Sequence, residues 1–357
     1  MTLLALESSC DETSAAVVRN GAVLSNIVSS QIKLHAEYGG VVPELAAREH
    51  LKNLLPVAQA ALHEAGVTAP ELEGVAATQG PGLAIALLIG FKAGQALAFA
   101  LNKPFLGINH HEAHLYSPWI QREPATAPGI RHQGAGTAPR LLAAFTNFQP
   151  NVSLIVSGGH TMLVLVEPGL KHRVLGGTID DAAGECFDKT GKLMGLPYPA
   201  GPIIDRLATE GNPRAYDFPR PLLHEDNDDF SFSGLKTSVR YFLRDHPALL
   251  EDRQKLRDLC ASIQAAIVEV LVKKTLRAAQ REGVRWITAS GGVSCNRGLR
   301  QALETACQRH GLTLQLADKS LCTDNAAMIG VLAERKFLAG TPLPPLDDEV
   351  KPGWALA

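Results

Sequence analysis

Residues 109–114 read Asn-His-His-Glu-Ala-His, and His110 and His114 are spaced i, i+4. On a helix that spacing stacks two imidazoles on one face, about 6 Å apart at Cβ. Two imidazoles presented together are half of a divalent-metal site. Asp324 is the candidate third ligand. It also suits the N-cap of a helix over 324–340, and the two roles are compatible. One carboxylate oxygen can accept from helix N–H groups while the other meets a cation. The zincin pattern H-E-x-x-H is excluded by spacing. His111-Glu112-Ala113-His114 is one residue short, so Glu112 would not face a metal held by its flanking histidines. Glu112 reads instead as the reciprocal partner of Asn109 in a capping box.

Other residues could bind a ligand. Gly80-Pro81-Gly82, Ser157-Gly158-Gly159 and Ser290-Gly291-Gly292 each follow an apolar run. Such turns let backbone N–H groups approach phosphate or carboxylate, although none is a Walker A loop or a complete G-x-G-x-x-G. Asp11 and Glu12 occupy a tight turn. Asp180, Asp181, Glu185 and Asp188 are expected on one helix, where Asp180 and Asp181 suit N-capping and Asp188 lies too deep for it. His160 suits either a cover for a ligand or a core position. The stretch 230–237, Phe-Ser-Phe-Ser-Gly-Leu-Lys-Thr, mixes aromatics, hydroxyls and a lysine that could meet a nucleic-acid backbone or an incoming ligand.

The elements that would position these groups repeat. Residues 2–30 read as a three-stranded meander with turns at 9–12 and at Asn20-Gly21. Residues 151–179 repeat that plan, with turns at 157–159 and at Pro168-Gly169. Each meander is followed later by strand, Gly-turn, helix and strand: 74–108 in the first half, with its last strand over 104–108, and 286–316 in the second. The echo lies in pattern rather than letters and points to two similar α/β domains. It also places the histidine pair where a strand ends and a helix begins. Further helices are expected over 43–66, kinked or broken at Pro56, and over 259–283. Residues 121–140, rich in Pro, Gly, Ala and Thr, read as an exposed mobile insertion. The tail after Thr341 should lack regular structure.

Bulk properties narrow the class. The 357 residues suffice for two domains, and 46% apolar with 20% charged residues suits a soluble globular chain. A net charge of −2 gives no global basic field, which weighs against a polynucleotide binder acting alone. Six cysteines without C-x-x-C spacing read as reduced thiols of a cytosolic protein. No signal-peptide pattern opens the sequence, and the apolar run 83–101, interrupted by Gly90, Lys92, Gly94 and Gln95, reads as a buried helix rather than a membrane span.

Taken together the motifs resemble the TsaD family (also called Gcp or YgjD), the tRNA adenosine threonylcarbamoyltransferases. The matching segments are Leu6-Glu7-Ser8-Ser9-Cys10-Asp11-Glu12-Thr13-Ser14, Tyr38-Gly39-Gly40-Val41-Val42-Pro43-Glu44, Gly80-Pro81-Gly82-Leu83, and His110-x-Glu112-x-His114. Beyond these come Val156-Ser157-Gly158-Gly159-His160-Thr161, Ile179-Asp180-Asp181-Ala182-Ala183-Gly184-Glu185, Phe232-Ser233-Gly234-Leu235-Lys236-Thr237, Gly291-Gly292-Val293-Ser294 through Asn296, and Thr323-Asp324-Asn325-Ala326. They run in family order over nearly the whole chain.

The resemblance implies an actin-like ATPase (ASKHA) α/β fold, with two duplicated RNase-H-like domains around a central cleft. The expected division is an N-terminal lobe over 1–118, an insertion or linker over 119–150, a C-terminal lobe over 151–325, and a C-terminal helix and tail over 326–357. The resemblance also implies one divalent ion, Fe(II) or alternatively Zn(II), on His110, His114 and Asp324. A substrate site would comprise Ile155, Val156, Ser157, Gly158, Gly159, Asp188, Gly201, Asp205 and Asn296. The implied reaction moves threonylcarbamoyl from threonylcarbamoyl-AMP to the N6 amine of the adenosine next to the anticodon of ANN-decoding tRNAs. Expected partners are tRNA, a TsaB-like paralogue and a TsaE-like ATPase, in the cytoplasm, without a membrane. Two departures stand out: Ala200-Gly201 where the family has Gly-Gly, which keeps the carried-over Gly201, and the 121–140 stretch. The alternative within the fold is a small-molecule carbamoyltransferase. An actin-like kinase would not need the histidine pair, a metalloprotease is disfavoured by the H-E spacing, and a scaffold paralogue would be expected to lack the histidines and Asp324.

Overall fold

The computed structural model describes residues 1–123 and 141–356. Most of the expected 121–140 insertion therefore lies outside the described residues. The chain divides into two compact units. The first comprises Met1–Gln31, Val42–Phe148 and Asp324–Ala355; the second is built mainly from Gln149–Thr323, joined by Ile32–Val41.

The first unit is organised on a sheet whose strands are β1 (Thr2–Glu7), β2 (Glu12–Arg19), β3 (Ala22–Ser30), β4 (Gly74–Gly80), β5 (Phe105–Asn109), β6 (Ile120–Arg122) and β7 (Leu141–Ala143). Their spatial order is β5-β4-β1-β2-β3-β7-β6. The meander β1-β2-β3 is antiparallel, and β4 and β5 add in parallel on the far side of β1. Every residue of β1 is buried, as befits a strand covered on both faces. On one face Leu4, Leu6, Ala15 and Val17 meet Leu54 and Val57 of the helix Pro43–Ala65 and Phe91 of the helix Ala84–Leu101. Phe91 meets Phe105 edge-on at 5.1 Å. The other face of β1 and β2 lies under the helix Ala326–Leu338, whose first nine residues are all buried.

The second unit repeats this plan. Its strands are β8 (Asn151–Val156), β9 (Thr161–Glu167), β10 (Lys171–Gly177), β11 (Trp286–Ser290) and β12 (Thr313–Leu316), ordered β10-β9-β8-β11-β12. Again an antiparallel meander is extended by two parallel strands beside its first member. The order 3-2-1-4-5 thus occurs twice, as the internal echo requires. The long helix Arg253–Arg281 lines the core with Leu259, Ile263, Ile267, Val270 and Leu271.

Several local expectations need correction. Pro56 does not break its helix, which is continuous from Pro43, at N1, to Ala65. The 259–283 helix begins at Arg253, because Asp252 caps it through the N–H groups of Gln254 and Lys255 at 2.8 and 3.1 Å. Its first turns are exposed and polar, so they carry no periodic signal. The helix Ala84–Leu101 is long and apolar enough to cross a membrane by length and composition, with 39% of its window buried inside the protein. Its buried face, Ala86, Leu87, Gly90, Phe91, Gly94, Gln95 and Ala98, lies on the sheet.

Candidate functional site

The histidine pair sits at the junction of β5 and the helix His110–Tyr116, all seven residues of which are buried. Asn109 is the N-cap, accepting from the N–H of Glu112 at 3.1 Å. The reciprocal half of the expected capping box is not made. The Glu112 carboxylate turns instead to Lys336, 2.8 Å away on the helix Ala326–Leu338. A lysine from a distant element outcompetes the local N–H.

At the start of that second helix the expected N-cap is off by one residue. Asn325 caps it, accepting from Met328 N at 3.1 Å, and Asp324 stands just outside. Freed from capping, Asp324 places Oδ1 3.3 Å from His110 Nε2 and 3.4 Å from His114 Nε2. One potential ligand atom from each of His110, His114 and Asp324 lies within 4.8 Å of the others. The two rings are nearly perpendicular, with centroids 4.8 Å apart. Two imidazole nitrogens and one carboxylate oxygen form a donor set suited to Fe(II) or Zn(II).

Glu7, at the end of β1, completes the arrangement and was not singled out among the candidate ligands. Its Oε2 lies 2.9 Å from His110 Nδ1 and accepts from Thr78 Oγ1 at 2.6 Å, while Oε1 accepts from Ser9 N at 2.5 Å. A carboxylate behind one ring nitrogen fixes the tautomer and leaves the other nitrogen for a cation. The only hint in the sequence was an acid ending a buried strand.

The electrostatics follow from burial and proximity. Burial opposes charge on His110, yet Asp324 and Glu7 together raise its pKa well above the usual imidazole value. The same contacts, against burial, hold Glu7 below and Asp324 well below the ordinary carboxylate range. His114 is depressed, chiefly by burial, and its Nδ1 is buried without a hydrogen-bond partner among the described residues. Burial, with Asp11 and Asp324 nearby, pushes Glu12 well up.

The expected substrate residues all fall in the second unit. Ile155 and Val156 end β8, and Ser157-Gly158-Gly159 forms the following turn, where Ser157 Oγ accepts from His160 N at 3.1 Å. Gly158 and Gly159 are exposed, with open space where a Cβ would stand. His160 is half-buried, so the core placement is not met. Gly291, at φ +90°, crosses this strand end so closely that a Cβ would meet Val156 O at 2.4 Å.

The polar members have structural partners. Asp188 accepts from Ala200 N at 2.8 Å and Gly201 N at 3.3 Å, at the start of the helix Gly201–Ala208. Too deep to cap its own helix, it caps another. Asp205 accepts from Arg297 N and from Arg297 Nε at 3.1 and 2.9 Å, and Asn296 caps the helix Arg297–His310 through Leu299 N. Helix Gly201–Ala208 thereby links the Asp188–Gly201 contact to Asp205 and its partner Arg297, the residue after Asn296. A cavity of about 270 Å³, lined in part by Gln264, Arg297 and Gly298, touches this set only at Asp205.

Asp180 and Asp181 precede their expected helix, which begins at Ala183. Asp180 accepts from Ser231 and Ser233 hydroxyls and from Phe232 and Ser233 N–H groups, capping the helix Ser233–Asp245. Asp181 meets Lys189 and Lys236. The 230–237 stretch offers no aromatic platform, because Phe230 and Phe232 stack on each other in the core, fully buried.

A family model for TsaD, tRNA N6-adenosine threonylcarbamoyltransferase, matches residues 22–132 and 136–331. A tRNA N6-adenosine threonylcarbamoyltransferase of Geotalea uraniireducens is 48% identical over all of this chain and 97% of its own length. One from Chloroherpeton thalassium is 51% identical over 95% of this chain and 93% of its own. Among solved structures, T. kodakarensis HypF aligns over 95% of this chain and 48% of its own at TM-score 0.57 and 13% identity. The Acidaminococcus fermentans (R)-2-hydroxyglutaryl-CoA dehydratase component A covers 95% of this chain and 98% of its own at TM-score 0.51 and 14% identity. These two likenesses concern fold alone, and the fold is the actin-like ATPase fold. Sequence likeness over essentially the full length decides the rest: the chain belongs to the TsaD family and is an enzyme of its class, the tRNA N6-adenosine threonylcarbamoyltransferases.

Proposed function

We propose that this enzyme takes threonylcarbamoyl from threonylcarbamoyl-AMP and delivers it to N6 of the adenosine next to the anticodon in ANN-decoding tRNAs, with a divalent ion on His110, His114 and Asp324. The observation that carries the metal reading is the convergence of both Nε2 atoms on Asp324 Oδ1 at 3.3 and 3.4 Å, with Glu7 behind His110. Two nitrogens and one carboxylate favour iron(II), with zinc the alternative. When bound, such an ion supplies Lewis-acid polarisation of the carbamoyl carbonyl.

The protein's own residues bind and orient. The nucleotide portion of the donor is held by Ile155, Val156, Ser157, Gly158 and Gly159, with Asp188, Gly201, Asp205 and Asn296. The open backbone at Gly158 and Gly159 supports a close approach by phosphate. The N6 amine attacks the carbamoyl carbon, the bond from that carbon to the phosphate oxygen breaks, and AMP leaves. Orientation and electrostatics supply the rate enhancement without a protein nucleophile.

The site operates in the cytoplasm, with a TsaB-like paralogue and a TsaE-like ATPase as partners. Leu51 and Leu55 on the helix Pro43–Ala65 and Phe99 on the helix Ala84–Leu101 are 71%, 66% and 77% exposed, which supports a docked protein on the first unit. The test is tRNA modification by the His110→Ala/His114→Ala double variant, supplied with threonylcarbamoyl-AMP and the partners. Transfer should vanish while circular dichroism is retained; normal modification would refute the metal role. A small-molecule acceptor assay run in parallel separates the alternative substrate class.

A further inference from the structure

Residues 348–354 form no helix or strand, as expected of the tail, yet they are tied to the first unit, to which they belong, by a run of hydrogen bonds. Lys351 N donates to Gln79 O at 2.8 Å, and Gly82 N to Pro352 O at 3.1 Å. Gln79 Nε2 donates to Glu349 O at 2.7 Å, Gln95 Nε2 to Asp348 O at 2.9 Å, and Asn109 Nδ2 to Trp354 O at 3.2 Å. Gln79, Gln95 and Asn109 are buried, so the tail's carbonyls supply acceptors that water cannot. These tail groups are backbone, which is why the sequence of the tail gives no sign of them.

Two of these contacts lead to His110. Asn109, the residue before it, is held at both ends of its amide: Oδ1 accepts from Glu112 N at 3.1 Å, and Nδ2 donates to Trp354 O. The second route runs through Gly82. Its N–H meets Pro352 O, and the next N–H, of Leu83, donates to Ser9 O at 2.8 Å. Ser9 Oγ stands 3.3 Å from His110 Nδ1, and Ser9 N donates to Glu7 Oε1. The two turns are closely packed, since a Cβ on Gly82 would lie 2.6 Å from Ser9 O. The tail thus reaches the ring once through the helix cap and once through the turn after β1.

We propose that the C-terminal segment Asp348–Trp354 is a positioning element for His110, fixing the ring in its ligating orientation through Asn109 and Gly82. The inference rests on the reading of His110, His114 and Asp324 as metal ligands. Without the tail, Asn109 Nδ2 and Gly82 N lose their acceptors, and the start of the helix His110–Tyr116 loosens against the Ser9 turn. Groups that orient a ligating histidine from outside are worth roughly 10–100-fold in metal affinity. These contacts act one residue further out than Glu7, so their loss should fall at the lower end of that range.

Two full-length variants test this. In Gly80→Ala the new methyl would lie 1.9 Å from Lys351 O, and the three nearest atoms all belong to Lys351, so the substitution drives the tail away. Asn109→Ser keeps a neutral cap acceptor and removes the amide that reaches Trp354. In the metal-free proteins, hydrogen exchange at the amides of 110–116 should quicken in both. Co(II), the probe ion, should bind about tenfold more weakly in competition with a chromophoric chelator, with a changed visible spectrum. A tail that only stabilised the fold would leave affinity and spectrum of the folded protein as they were. Circular dichroism checks folding, and Asn109→Ser decides the question if Gly80→Ala does not fold. A parent that takes up no Co(II), or takes it up equally after His110→Ala/His114→Ala, overturns the metal reading and this role with it. A parent that binds Co(II) through the histidines, matched by Asn109→Ser in affinity and spectrum, overturns the role of the tail alone.

Discussion

Glu7 Oε2 lies 2.9 Å from His110 Nδ1, and the opposite nitrogen of that ring lies 3.3 Å from Asp324 Oδ1. One carboxylate therefore selects which nitrogen the ring presents, and the second waits on the side presented. Thr78 and the Ser9 N–H hold Glu7 in turn, so the orientation is set by β1, β4 and the turn after β1.

Replacing Glu7 by Gln keeps size and acceptor but removes the charge that anchors the imidazole. Metal affinity should fall roughly 10–100-fold, the usual cost of losing such a partner. Competition with a chromophoric chelator reads this directly. Unchanged affinity would mean that the ring is oriented by packing alone.

Metal uptake should be proton-linked. Asp324 and Glu7 raise the His110 pKa, and a nitrogen must be unprotonated to serve as a ligand. Affinity should therefore climb with pH, by about tenfold per unit until His110 has lost its proton. Calorimetry in buffers of different ionisation enthalpy should count about one proton released per ion. In the metal-free protein the sign is opposite: the raised pKa contributes stability in full below the ordinary value of 6.5 and loses it as pH climbs through the raised one.

The Glu112–Lys336 ion pair ties the histidine helix to the helix that follows Asp324, with side chains 5% and 19% exposed. Lys336→Met should cost roughly 3 kcal/mol in urea unfolding, because it strands a buried carboxylate. Glu112→Gln/Lys336→Met should recover much of that loss. Additive single effects would show that the two groups do not interact.

Gly291→Ala should destabilise by about 2 kcal/mol, since it adds a methyl against Val156 O in a left-handed backbone conformation. Donor affinity should fall as well, because Val156 and Ser157 would have to move. Isothermal titration with a non-hydrolysable donor analogue measures this, and unaltered binding would detach the β8 turn from the substrate site.

The meanders, both parallel extensions and the histidine helix were legible in the sequence, because they rest on local alternation, turn residues and caps. What stayed hidden were polar groups whose partners lie far along the chain. Asp188 caps a helix twelve residues on, Asp180 one more than fifty residues on, and Glu112 abandons its own cap for Lys336. In each case short-range rules named a correct need but the wrong supplier. Phe230 and Phe232 failed differently. Nothing local distinguishes an aromatic that stacks on a base from one that stacks on its neighbour in the core.

The strap formed by residues 348–354 runs back over the first unit. Gln79 Nε2 donates to Asp348 Oδ2 at 2.9 Å, Gly82 N to Pro352 O at 3.1 Å, and Asn109 Nδ2 to Trp354 O at 3.2 Å. Gly80 has no room for a Cβ, which would fall 1.9 Å from Lys351 O. A chain emerging from the ribosome thus exposes both histidines long before it can supply Asp324 or this buttress. Until then, the first unit is a half-built holder whose imidazoles are open to any passing metal, and its maturation must wait for the second unit to be synthesised.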